Sequence, residues 1–131
     1  MIIILDVSAS IEIILKRKNA NSLKEKIAIA DTVVAPDIFV AEIANVAWKY
    51  YKIGNYSHEE SVSMAEDGLA LVDQFISTKE FWKESLRESI NNDHPVYDAL
   101  YAVCARRNDG ILLTVDKRLK SLCKKLRIEC E

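Results

Sequence analysis

IIILD, residues Ile2–Asp6, sets three isoleucines and a leucine in a row and closes them with an acid. An apolar run with no alternating polar residue is the pattern of a strand buried on both faces. ILLTVD, residues Ile111–Asp116, repeats it near the far end of the chain: an apolar run, then an acid. Thr32–Ala35 reads as another short strand, with a weaker one within Phe75–Phe81 and a last one over Arg127–Cys130.

Helical patterns fill the intervals. Ser8 can cap a helix to about Arg17, and Ser22 can open one over Leu23–Ala30. Pro36 suits the first turn of a helix that reaches Lys52 and stops near Gly54. Ser57 and Glu60 carry a capping-box spacing for a helix to about Phe75. Further helices are expected over Phe81–Asn91, from Pro95 to near Asn108, and over Asp116–Leu126. Strands alternating with helices predict an α/β protein of three layers, with a parallel sheet covered on both faces. Sites in such sheets form beyond the carboxyl ends of the strands, where Asp6 and Asp116 fall.

The chain has 131 residues, which fits one domain over 1–131 with a real core. Its formal charge of −2 makes it no polycation, so any nucleic-acid contact must use local basic patches. Three glycines and two prolines predict short loops. Cys104, Cys123 and Cys130 are an odd number without a pairing pattern, and packing is their expected role. The first apolar run is too short for a signal peptide and lacks a basic start. No stretch is long enough to span a bilayer, and a reducing cytoplasm is the expected location.

Two further acids sit within apolar helical stretches: Glu42 in FVAEIANVAW and Asp98 in VYDALYAVCA. Removing a carboxylate from water costs several kcal/mol unless it is paired or binds a cation. Helical spacing sets Glu42 on a face with Asn45, Lys49 and Lys52, which equally describes a solvated stripe. Asp98 has no basic residue one turn away, and a mid-helix Asp is a poor helix former. Asp6 and Asp116 could each simply cap the helix that follows. Together the four acids suggest one oxygen-rich pocket suited to Mg²⁺ or Mn²⁺, and hence metal-dependent phosphodiester hydrolysis. Lys117 and Arg118, beside Asp116, are the best candidates for RNA phosphate contacts. Trp48 and Trp82 are expected to pack. Neither a phosphate-binding glycine loop nor zinc-ligand spacing is present.

ILDVSA at the start, VAEIAN around Glu42, HPVYDALYAVCARR around Asp98 and LLTVDKRL around Asp116 resemble the PIN-domain family, and within it the VapC-type toxins of type II toxin–antitoxin systems. The resemblance runs from Ile2 to about Leu126. It implies a central parallel sheet of four or five strands and acidic site residues at Asp6, Glu42, Asp98 and Asp116. It also implies further small polar positions at Ser8, Asn45 and Thr114. The implied activity is Mg²⁺- or Mn²⁺-dependent cleavage of RNA by a homodimer that a VapB-like antitoxin inhibits. Three other readings compete: a PIN nuclease of RNA processing without an antitoxin, a Mg²⁺-dependent phosphatase or phosphoryl-acceptor domain, and a non-catalytic protein-binding module.

Overall fold

The computed structural model describes residues 1–131. In chain order the elements are β1 (Ile2–Leu5), α1 (Val7–Ile14), α2 (Ala20–Ala28), β2 (Thr32–Pro36), α3 (Ile38–Ile53), α4 (His58–Leu69), β3 (Gln74–Ile76), α5 (Trp82–Asn92), α6 (Val96–Arg107), β4 (Ile111–Leu113) and α7 (Lys117–Leu126). A 3₁₀ turn, Thr78–Glu80, precedes α5. The four strands form one parallel sheet in the order β3-β2-β1-β4. The expected α/β architecture is therefore what the chain adopts.

Sheet order decides where a site can form. From β1 the chain steps outward to β2 and β3, and β4 returns to the other side of β1. The carboxyl ends of β1 and β4 thus flank the point where the winding reverses, and loops leaving them in opposite directions open a crevice. Helices that follow β1, β2 and β4 all begin on that edge. Helix α6 precedes β4 and runs back over the sheet, so its first turn lies there too.

Burial follows the apolar runs. Ile3, Ile4, Leu5, Val33, Val34, Leu112 and Leu113 are all inside. Helix α6 is buried all round from Ala99 to Ala105 and packs on β1, β2 and β4. Alanines at 99, 102 and 105 let its backbone approach the sheet closely. Helix α4 seats equally tightly: a Cβ on Gly68 would stand 1.9 Å from Ile43 Cδ1.

Several boundaries differ from expectation, each for a local reason. Asp6, not Ser8, caps α1, accepting from Ala9 N at 2.9 Å. Helix α2 begins at Ala20, ahead of Ser22. Pro36 is the last residue of β2 rather than the first turn of α3. It pairs with Ile76 beyond the end of β1, on the strand's margin, where a missing N–H is tolerated. Helix α4 stops at Leu69 because Asp73 is captured by β2: its N–H donates to Val33 O and its carboxylate accepts from Val33 N, both at 2.8 Å. The capping box of Ser57 and Glu60 forms with both bonds. Residues 127–130 make only a single bridge, Leu112 to Cys130, instead of a full fifth strand.

Asp98 lies in the first turn of α6, not mid-helix, and there a negative charge meets the positive end of the helix dipole. Trp48 and Trp82 are about half exposed rather than packed. All three cysteines are free. No helix is long and apolar enough to cross a membrane.

Candidate active site

Asp6 leaves β1 into the crevice and is 5% exposed. Three donors hold its carboxylate. Ser8 Oγ donates to Oδ1 at 2.8 Å, Ala9 N donates to the same oxygen, and Thr114 Oγ1 donates to Oδ2. Ser8 and Thr114 hydroxyls also meet at 3.1 Å, and Val115 N donates to Ser8 Oγ at 3.1 Å. This network ties the end of β1 to the end of β4. Burial nevertheless outweighs the donors and, with the charge of Asp116, pushes the Asp6 carboxyl up to about 6.

Asp116 caps α7, accepting from Arg118 N at 2.8 Å, while its own N–H donates to Thr114 Oγ1. Its charge reaches both Asp6 and Asp98. Asp98 is raised above the ordinary carboxyl range, first by burial and then by Asp116; Arg118 and His94 pull the other way. His94 Nδ1 stands 3.9 Å from Asp98 Oδ2, too far for a hydrogen bond, and is itself buried without a partner.

Glu42 projects from the second turn of α3. Tyr101 Oη, inside on α6, donates to Glu42 Oε1 at 2.6 Å. Burial still raises the Glu42 carboxyl, and Asp98 raises it further. The same acids surround Tyr101: Glu42 and then Asp6 push its hydroxyl well above the ordinary tyrosine range, after burial.

The four sequence-predicted acids therefore form a run of electrostatic neighbours, Asp6 to Asp116 to Asp98 to Glu42. All four sit at or near helix N-termini. No Lys or Arg forms an ion pair with any of them. They are not closed into a cage: no three His, Cys, Asp or Glu side chains form a ready metal-holding group. Ser8 and Thr114 join the cluster through Asp6. Asn45 does not; it is exposed and enters no side-chain hydrogen bond. Lys117 and Arg118 are exposed at the start of α7.

Two members escaped the sequence reading. Tyr101 lies one turn after Asp98, and the helical spacing already places its ring on the acid's side. His94 lies one turn before Asp98, but the intervening Pro95 hides that relation.

The chain matches the PIN domain family over residues 3–125. This chain belongs to the PIN domain family. Among curated proteins it is similar to Ribonuclease VapC3 of Pyrobaculum aerophilum, 26% identical over 124 residues, spanning 91% of this chain and 92% of that protein. Among solved structures it is similar in fold to PAE2754 of Pyrobaculum aerophilum, with a TM-score of 0.74 and 19% identity, covering 93% of this chain and 87% of that one. VapBC2 of Rickettsia felis, solved bound to a DNA fragment from the promoter, gives a TM-score of 0.69 at 19% identity, covering 100% and 98%. The PIN assignment agrees with the α/β fold and its four-strand parallel sheet.

Proposed function

We propose that this PIN domain is an endoribonuclease that uses Mg²⁺ or Mn²⁺ and acts as the toxin of a type II toxin–antitoxin pair. One observation supports the chemistry: four carboxylates act on one another in a run, three of them are raised above the ordinary carboxyl range, and none forms an ion pair with Lys or Arg. An ordinary structural role would supply a cation from the protein. The donors here are all hard oxygens, the set that suits Mg²⁺ or Mn²⁺.

Asp6, Glu42, Asp98 and Asp116 would hold the ion. When bound, it lowers the pKa of water, polarises the phosphoryl group and steadies the leaving oxygen. The chain's own residues do the positioning. Thr114 and Ser8 orient Asp6, and Tyr101 orients Glu42, each leaving carboxylate lone pairs free. Lys117 and Arg118 stand beside Asp116, where a phosphate strand would pass.

The toxin reading draws on the name of the curated relative and on the VapBC2 complex. A protein partner also suits a 480 Å³ groove between α3 and α4, where Trp48 and Tyr51 stand exposed over an apolar floor. A VapB-like antitoxin is the partner this reading assigns, with a homodimer as the assembly and the cytoplasm as the location.

The test uses chain freed of any partner, incubated with structured and unstructured RNA in Mg²⁺, Mn²⁺ or EDTA. Cleavage should require the ion and vanish in Asp6→Asn and Asp98→Asn with the fold intact. Equal cleavage in EDTA rejects the mechanism.

A further inference from the structure

A groove of 360 Å³ runs between α2 and α7, and only two of its nine lining residues are hydrophobic. Lys26, Lys117 and Lys120 face it, with the Ser22 hydroxyl among them. Its wall includes Thr114, the residue whose hydroxyl bonds Asp6, so the groove and the acidic crevice share that residue as a partition. Helix α7, KRLKSLCKKL, carries five basic residues and no acid, on a chain whose net charge is −2. Neither Lys117 nor Lys120 has an ion-pair partner. One anion already stands in the groove: the Glu131 carboxylate, 3.0 Å from Lys26 Nζ.

We propose that this groove seats a backbone phosphate of the single-stranded RNA whose scissile bond lies over the acidic crevice, held by Lys26, Lys117 and Lys120. The proposal rests on the ribonuclease reading and adds where the strand runs. The acidic crevice repels a polyanion, so substrate must be held by charge of the other sign close by. A cationic groove sharing a wall with the site supplies it. Glu131 occupies the phosphate position and must yield Lys26 to the strand, so it opposes binding. The lysines and Glu131 therefore act with opposite sign, which a generally basic surface would not produce.

The experiment measures binding of a fluorescein-labelled single-stranded oligoribonucleotide of mixed sequence to the full chain by anisotropy. EDTA prevents turnover, and salt is varied from 50 to 200 mM. Lys26→Ala/Lys120→Ala should weaken binding about tenfold and make the salt dependence shallower by roughly 0.7, the value for one lost phosphate contact. Glu131→Gln should tighten binding; its backbone bonds to Leu112 and Thr114 remain. Lys83→Ala/Arg87→Ala on α5 removes the same charge elsewhere and should have little effect. Thermal melts check that each variant folds.

Equal loss in the two double variants overturns the proposal, as does weaker binding by Glu131→Gln. A polyglutamate peptide that binds the wild type more tightly than RNA, through the same lysines, overturns it in favour of protein docking. If the wild type cleaves RNA while Lys26→Ala/Lys120→Ala binds it unchanged, the groove assignment falls and the nuclease reading stands. If the wild type neither binds nor cleaves RNA under any condition, both fall.

Discussion

Thr114 donates its hydroxyl proton to Asp6 across 108 positions of sequence, joining the end of β4 to the end of β1. The same hydroxyl oxygen accepts from Asp116 N and meets Ser8 Oγ. Thr114→Val keeps the shape, removes one of three donors to the buried carboxylate and leaves the Asp116 N–H without its acceptor. A hydrogen bond to a charged, buried group contributes roughly 1.5–3 kcal/mol, and that is the stability loss expected by urea denaturation. RNA cleavage should fall by at least tenfold, and Thr114→Ser should restore most of both.

Asp6 makes the metal-free protein sensitive to pH in an unusual direction. Its carboxyl titrates near 6 in the fold against 3.8 for the free side chain. Between those values the native state binds more protons than the unfolded chain, so stability falls as pH rises from about 4 to about 6 and stays low above that. The full effect is roughly 3 kcal/mol. Urea melts in EDTA should show greater stability at pH 4.5 than at 7.5. Asp6→Asn, which still caps α1, should raise stability at pH 7.5 and flatten the dependence. An identical pH slope in the variant would count against buried ionisation of Asp6.

A divalent ion should reverse that penalty. Binding to the native state stabilises by about 2.7 kcal/mol when the ion is at a hundred times its Kd. Melting temperature should therefore rise with Mn²⁺ at pH 7.5 and rise less at pH 5, where protons compete for Asp6. The rise should shrink sharply in Asp98→Asn. No response to Mn²⁺ in the wild type would favour a non-catalytic binding module.

Tyr101→Phe removes one hydrogen bond at 2.6 Å and leaves the packing of the ring in place. Because that bond lowers the Glu42 pKa, its loss should push the carboxyl higher still. Titration of the Glu42 side chain by NMR reads this directly. Stability should drop by about 1 kcal/mol, and Mn²⁺ affinity several-fold. An unmoved Glu42 midpoint would show that Tyr101 only fills space.

The parts of this molecule legible in the sequence are those set by local pattern. IIILD and ILLTVD read correctly as buried parallel strands, because β-branched runs have few other uses. Ser57 with Glu60 announced α4, since a capping box is complete within four residues. What failed was decided at a distance. Nothing near Leu69 says that α4 must stop there; Asp73 does so by reaching Val33 on another strand. Asp6 and Ser8 both read as caps, and the choice was made by Thr114, which engages Ser8 from the far end of the chain. Asp98 looked costly in mid-helix, and its true place in the first turn softens that cost. Trp48 was expected inside because aromatics usually are, whereas the hairpin of α3 and α4 leaves it facing outward. Sequence spacing says nothing of how far apart the four acids stand, and in the fold no three of them form a closed ligand set.

The order β3-β2-β1-β4 places β1 between β2, the next strand along the chain, and β4, the last. Asp6 precedes Thr114, the residue after β4, by 108 positions, and Asp116 lies further on. Without that late segment Asp6 lacks its Thr114 anchor and the charge of Asp116 beside it. The acidic crevice is therefore complete only once the segment after β4 has joined the sheet.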